Sequence, residues 1–213
     1  NAFIGYRAGN ANMQGGFNAF IGAFAGQNNI TGKYNSFIGY RAGDANTYGE
    51  YNNYIGLKAG FSSTTGNYNS AIGYEAGYSS TNGDKNVFLG YQTGYDNTTG
   101  YNNTYIGSEA DGSPEIYNAT AIGFGATVSS NNSVVLGDAN AKVGIGTTSP
   151  SYKLHVEGGS STAIYAASTG TTYDRTVEVI NTNGTALAIG AGQNLSGYIT
   201  TPTGLQVQAA SGH

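Results

Sequence analysis

The segment Asn35-Ser36-Phe37-Ile38-Gly39-Tyr40-Arg41-Ala42-Gly43 decides the fold, because close copies of it recur along the chain. Its step from an aliphatic residue to glycine returns at a constant 17-residue interval from Gly5 to Gly107, and then at shorter intervals at Gly123 and Gly137. Glycine accounts for 35 of the 213 residues, which is too few to hold one register over so many copies by chance. The period therefore reflects a repeated structure.

Three kinds of residue keep the register: an asparagine, an aliphatic residue three places later and the glycine that follows it. In the second to seventh copies these are Asn18, Ile21, Gly22, Asn35, Ile38, Gly39, Asn52, Ile55, Gly56, Asn69, Ile72, Gly73, Asn86, Leu89, Gly90, Asn103, Ile106 and Gly107. Glycine and asparagine adopt positive φ most readily, so they predict corners. Because a 17-residue unit is long enough for short strands but not for a strand-helix-strand crossover, we predict an all-β parallel β-solenoid over residues 1–138.

An aromatic residue precedes the aliphatic one in most copies, and neighbouring residues of a strand point to opposite faces. The aliphatic column is the more strictly kept, so we predict that it lies inside the coil. The aromatic column is then expected to face outward, at Phe20, Phe37, Tyr54, Phe88 and Tyr105. A long exposed apolar stripe favours aggregation unless it is covered. We therefore predict that these aromatic residues form the contact in a parallel homotrimer.

Two later copies of the repeat resemble those of known surface fibres. Asn118-Ala119-Thr120-Ala121-Ile122-Gly123 and Asn132-Ser133-Val134-Val135-Leu136-Gly137, which follow each other at a 14-residue interval, resemble the head repeat of YadA-type trimeric autotransporter adhesins. That resemblance implies a left-handed parallel β-roll, three chains side by side and adhesion at a bacterial surface. The upstream 17-residue copies differ from the family pattern and are similar to arrays in tail-fibre-like and large surface proteins.

Residues 139–157 contain a second motif, Val143-Gly144-Ile145-Gly146-Thr147-Thr148-Ser149-Pro150-Ser151-Tyr152-Lys153-Leu154-His155-Val156, which resembles the connector of phage tail fibres and related bacterial fibre proteins. The resemblance implies an extracellular location, on a bacterial cell or in a phage tail fibre. Beyond the connector the 17-residue register is lost although short apolar runs persist. We therefore predict a second small β module over residues 158–213 that continues the fibre.

Composition argues against several classes of function. Charged residues make up 9% of the chain and the net charge is −4, which is too weak for a nucleic-acid or membrane-surface binder. The chain has no cysteine and only two histidines, His155 and His213, so neither a disulfide framework nor a zinc site is expected. No apolar run is long enough for a membrane span. We predict no cofactor, no metal, no nucleic-acid partner and no membrane insertion.

One acidic cluster, Glu109, Asp111 and Glu115, lies where the 17-residue period first shortens, by a single position. An irregularity in a repeat is a place where a ligand site can be built, so these three residues form the candidate ligand loop. The main prediction is a structural, adhesive fibre protein: a trimeric rod that projects a binding tip toward a glycan or protein receptor. Because carboxylate pairs also hydrolyse glycosidic bonds, the alternative is a polysaccharide-degrading fibre enzyme of the tailspike kind.

Tyrosines recur in two further columns, one after the repeat glycine, as at Tyr40 and Tyr74, and one before the next asparagine, as at Tyr34 and Tyr51. Stacked tyrosines stabilise a solenoid, and exposed ones bind sugars or proteins. We favour stacking over ligand binding for these columns. A third function, ice binding, would need a regular threonine array, which this repeat lacks.

Overall fold

The computed structural model describes residues 1–157, and all regular structure in that range is β. The strands are β1 (Ala2–Ile4), β2 (Ala19–Ile21), β3 (Ser36–Ile38), β4 (Asn53–Ile55), β5 (Ser70–Ile72), β6 (Val87–Leu89), β7 (Thr104–Ile106), β8 (Asp111–Gly112), β9 (Thr120–Ile122), β10 (Thr127–Val128), β11 (Val134–Leu136), β12 (Val143–Ile145) and β13 (Leu154–Val156). Across the described residues, none forms a helix long and apolar enough to cross a membrane. The β module predicted for 158–213 lies outside the described residues.

Nine of these strands form one parallel sheet in the order β1-β2-β3-β4-β5-β6-β7-β9-β11. Each strand pairs in register with the equivalent residues one repeat later, so that Phe37 lies beside Phe20 on one side and Tyr54 on the other. The pairing continues through the two shorter repeats to β9 and β11. This confirms the predicted all-β parallel solenoid built from 17-residue coils. In the connector, β12 pairs with β13.

Glycine is required at two corners of each coil, illustrated by Gly39 and Gly43. Gly39 has a φ of 138°, and a Cβ there would collide with the Gly56 backbone of the next coil. Gly43 has a φ of 57°, and its missing side chain lets the Phe37 ring pack against the backbone, since a Cβ would lie 2.7 Å from that ring. The glycine columns therefore fix both the distance between coils and the width of the interior.

Other corners place ordinary side chains in the left-handed region. Arg41 has a φ of 57° and Tyr51 a φ of 59°, conformations that cost roughly 1–2 kcal/mol for a residue with a Cβ. Inter-coil hydrogen bonds hold them there, because the Arg41 amide donates to the Ala23 carbonyl at 2.9 Å and the Tyr51 amide to Lys33 at 3.0 Å. The repeated ladder thus imposes a backbone conformation that these side chains do not prefer.

The prediction of which apolar column lies inside is wrong. The aromatic residues occupy the interior and are 0–1% exposed: Phe20, Phe37, Tyr54, Phe88 and Tyr105. Their rings stack, with centroids 4.8 Å apart for Phe20–Phe37 and 5.0 Å for Phe37–Tyr54. They are buried within a single chain, so they are not available for the predicted trimer contact. The aliphatic column faces outward instead, with Ile21 38% and Leu89 44% exposed.

The physical reason is the match between flat rings and the spacing of coils. Strands of neighbouring coils lie about 4.8 Å apart, which is also the spacing of offset-stacked aromatic rings. A column of stacked rings therefore fills a narrow interior. Branched aliphatic side chains do not stack in this way, and the outer surface accepts them. Ala71 interrupts the ring column once and is also buried.

The asparagine column forms a second interior ladder, not merely a row of corners. Asn52 is 1% exposed, and its Oδ1 accepts a hydrogen bond from the Asn69 amide at 2.9 Å while its Nδ2 donates to the Gly66 carbonyl at 2.7 Å. Equivalent bonds recur in each 17-residue coil. The ladder ends where Asn103 accepts from the Ala119 amide at 3.0 Å. Each buried amide thus satisfies two backbone groups that would otherwise lack partners.

Candidate functional site

The outer surface of the nine-stranded sheet is uncharged. It carries the first and third residues of each strand, which we term the sheet face: Ala2, Ile4, Ala19, Ile21, Ser36, Ile38, Asn53, Ile55, Ser70, Ile72, Val87, Leu89, Thr104, Ile106, Thr120, Ile122, Val134 and Leu136. All of them are at least partly exposed. The repeat therefore exposes one continuous aliphatic column beside a column of small or short residues.

A stacked tyrosine column lies just before the strands in sequence. The rings of Tyr34, Tyr51 and Tyr68 stack with centroids 4.8 and 4.9 Å apart, and each ring remains 44–56% exposed. The residue that follows in the same column is Lys85. These rings cover one another, as the stacking interpretation predicted.

A different aromatic column runs along another side of the coils and stops where the period changes. Phe61, Tyr78 and Tyr95 stack with centroids 5.0 Å apart and interplanar angles of 10° and 6°. The residue one full repeat after Tyr95 is Gly112, where a Cβ would point inward to the buried Tyr105 and Ile116, so this position adds no ring to the outer column. One face of the Tyr95 ring is therefore left without an aromatic neighbour from the next coil.

A groove of about 440 Å³ opens at this point and is lined by Gln92, Tyr95, Glu109 and Asp111. We refer to these four residues as the end groove. It combines an aromatic ring, an amide and two carboxyl groups in one concave surface. Its volume lies in the range of small-molecule sites, and its lining is more polar than that of most of them.

Asp111 is fixed by the backbone of two coils. Its Oδ2 accepts a hydrogen bond from the Asp96 amide at 2.9 Å, in the place where the coil register would supply the Gly112 carbonyl, and its Oδ1 accepts from the Gly112 amide at 2.7 Å. Burial raises the pKa of Asp111 to about 6, although these amide donors act in the opposite direction. The carboxyl is thus mostly ionised at neutral pH, and each oxygen has a lone pair left for a ligand.

Gln92 is oriented by a charged row that runs along neighbouring coils. Its Nε2 donates to Glu75 Oε2 at 3.0 Å, and Lys58 Nζ lies 3.3 Å from Glu75 Oε1. Burial favours the neutral form of Glu75, but hydrogen bonds from Gln92 and Lys58 and the Lys58 charge outweigh it, so the pKa of Glu75 is lowered. The Gln92 Nε2 is held by Glu75, and no side-chain or backbone donor among residues 1–157 bonds to its Oε1, which can therefore accept from a ligand.

The structure brings together two of the three residues of the predicted ligand loop. Glu109 and Asp111 line the end groove, whereas Glu115 is exposed and does not line it. Sequence reasoning missed Tyr95 and Gln92, although the end of the aromatic column at Gly112 was readable in the 17-residue register. In the part of the chain described, 1–157, no three His, Cys, Asp or Glu side chains approach closely enough to hold a metal ion.

Comparison with known proteins assigns no activity to the end groove or to the sheet face. No known protein family, curated protein or solved structure matches the chain. The function is therefore argued from the surfaces themselves.

Proposed function

We propose that the chain is a structural, adhesive fibre protein. Three copies pack side by side as a left-handed parallel rod outside the cell, on a bacterial surface or in a phage tail fibre. The rod carries a binding region that attaches to a glycan or protein on a host cell or another surface. The observation that carries this proposal is the uncharged, aliphatic sheet face, which a single chain leaves in contact with water.

The sheet face replaces the aromatic column as the contact between copies. Nine strands spaced about 4.8 Å apart give a stripe on the order of 40 Å long. A continuous apolar surface of this length is typical of a protein–protein interface. Because every coil presents the same residue types, parallel copies match at every level, and a cyclic arrangement closes without leaving a free face. The YadA-like copies support three chains as the number that closes the ring.

Light scattering on the purified chain tests this proposal. We expect about three times the 21.8 kDa mass of one chain. Ile38→Asp with Ile72→Asp places two charges on the sheet face and should give single chains with an unchanged far-ultraviolet dichroism spectrum. The matched control is Thr65→Asp with Thr99→Asp, two exposed positions with the same spacing of two coils, which should remain trimeric. A monomeric or dimeric wild-type chain contradicts the proposal.

The enzymatic alternative rests on the end groove, because two carboxyl groups line it and burial raises the pKa of Asp111 to about 6, in the range of a general acid. Incubation with bacterial and host polysaccharides would then release new reducing ends, and Asp111→Asn would abolish the release. Binding without any release of reducing ends favours the adhesive fibre.

A further inference from the structure

We propose that the end groove binds one neutral hexopyranose unit of a glycan, with the apolar face of the sugar ring stacked on the free face of Tyr95. This inference deepens the adhesive part of the proposed function and rests on it only for its biological setting. It assigns a site to the side of the rod, at the place where the repeat changes length.

The first argument is the free face of Tyr95. Rings inside an aromatic column cover each other, so only a terminal ring offers its whole face to a ligand. At the opposite end of this column the Arg41 guanidinium lies 4.8 Å from the Phe61 centroid and pairs with Asp44 at 2.6 Å. That end is therefore occupied by protein, whereas the Tyr95 end opens onto the groove.

The second argument is the chemistry of the groove lining. Glu109 and Asp111 offer carboxylate oxygens and Gln92 offers Oε1, so the lining is rich in hydrogen-bond acceptors. Sugar hydroxyl groups are the matching donors. An aromatic platform with acceptors beside it suits a pyranose ring, which has an apolar face and a rim of hydroxyl groups.

The third argument is the negative charge of the groove, which favours neutral sugars over acidic ones. Two carboxyl groups in the groove repel an anionic sugar, and the nearest cation on the adjoining row, Lys58, is already paired with Glu75. A uronic acid or another acidic sugar would bring a third negative charge without a partner. We therefore expect the site to discriminate against glucuronides in favour of neutral pyranosides.

Ligand-observed saturation-transfer NMR on the full chain tests the site. The probes are the methyl pyranosides of galactose, glucose and mannose, with methyl glucuronide as the charged comparison. We expect saturable binding of at least one neutral probe, with Kd on the order of 1 mM, as a site for a single sugar ring should give. Methyl glucuronide should bind at least about tenfold more weakly, since like charges meet in the groove.

Variants separate stacking from a general effect on the fold. Tyr95→Ala should weaken binding by about tenfold or more, whereas Tyr95→Phe, which keeps the ring, should change it less than about twofold. Glu109→Gln should weaken it severalfold through loss of a charged acceptor. The matched control is Tyr68→Ala, which removes the exposed terminal ring of the Tyr34, Tyr51 and Tyr68 column and should leave sugar binding unchanged.

Several results would overturn the assignment. These are no saturable binding by any neutral probe, equal binding by Tyr95→Ala and wild type, or glucuronide binding as tight as that of the neutral sugars. Light scattering on the same samples keeps this failure distinct from a failure of the fibre proposal. A trimer without sugar binding refutes the site alone, and a monomer that binds sugar refutes the trimer alone.

Discussion

The coils before Gly107 and the coils after it share one parallel sheet. They differ in how far their columns of equivalent side chains continue. Up to Gly107 the repeat asparagine, aliphatic residue and glycine recur at the same position of every coil. After Gly107 the aliphatic column continues through Ile122 and Leu136, whereas other columns stop. The outer aromatic column ends at Gly112, the asparagine ladder ends at Ala119, and the Asp111 carboxylate takes over a bond that a backbone carbonyl would make.

The difference shows how a repeat separates stability from recognition. In the regular coils most repeat residues have an equivalent residue in the neighbouring coils, which occupies their bonding groups and ring faces; the buried Asn46 Oδ1 and Ser80 Oγ, which lack hydrogen-bond partners within the described residues, are exceptions. At the change of period the same groups lack their next copy, and they become available to something else. The interior also loses a partner there: the Tyr54 hydroxyl donates to Ser63 at 2.9 Å, whereas the buried Tyr105 hydroxyl has no hydrogen-bond partner within the described residues.

The largest effect should come from the interior of the regular coils. Phe37→Ala removes a fully buried ring that stacks on both sides, and we expect it to lower the free energy of unfolding by about 3–5 kcal/mol. Ile38→Ala, one residue along and half-exposed, should cost less than about 1.5 kcal/mol in the single chain. Guanidinium unfolding at concentrations where the chain is monomeric measures both. A larger loss for Ile38→Ala would contradict the inward placement of the rings.

A smaller but still substantial effect is expected from the asparagine ladder. Asn52→Ala leaves the Asn69 amide and the Gly66 carbonyl without hydrogen-bond partners inside the coil. Each unsatisfied group costs about 1–3 kcal/mol, so we expect the free energy of unfolding to fall by about 2–4 kcal/mol. The control from the irregular region is Asn131→Ala, which removes only an exposed bond to the Tyr117 amide at 3.1 Å. Its cost should stay below about 1 kcal/mol. Equal losses in thermal unfolding would mean that the ladder does not stabilise the coils.

The sequence was sufficient to predict the solenoid because the period fixes strand positions and register together. Once Gly39 and Gly56 are one coil apart, the parallel pairing of their strands follows. The inside and outside of the coil did not follow, because both members of each Phe-Ile pair are apolar and alternation alone cannot choose between them. The deciding feature was the second corner glycine that follows the ring in each coil, such as Gly43 after Phe37, which makes room for the ring inside.

The candidate site was predicted in part for a related reason. The shortening of the repeat from 17 to 16 residues after Gly107 is visible in the sequence, and it identified the segment of Glu109 and Asp111 as a candidate ligand site. The exclusion of Glu115 depends on how the turn after Gly112 is directed, which the spacing does not encode. Tyr95 belongs to neither of the two tyrosine columns recognised in the sequence, and the alignment with Gly112 is what reveals that its column ends there.

The smallest effect, and the one specific to the irregular region, is the pH dependence of stability due to Asp111. Burial raises the pKa of its carboxyl to about 6 in the folded chain, against an ordinary value of 3.8. Between these values the folded chain holds a proton that the unfolded chain has released. The contribution of Asp111 to stability is therefore full below about pH 4 and is lost as pH rises through about 6. Because the group is partly exposed, we expect about 1–2 kcal/mol.

Asp111→Asn isolates this contribution, because the other carboxyl groups remain. Glu75 acts in the opposite direction, since its lowered pKa makes its contribution disappear as pH falls, so the wild-type profile alone would mix the two. The amide also loses one of the two backbone bonds that the carboxylate accepts, which shifts the stability of the variant by a nearly constant amount. The decisive quantity is the difference in free energy of unfolding between wild type and variant, followed from pH 4 to pH 7. It should change by about 1–2 kcal/mol, with wild type losing stability relative to Asp111→Asn as pH rises. A constant difference would mean that Asp111 titrates as an ordinary exposed carboxyl and that the end groove is open to water at its base.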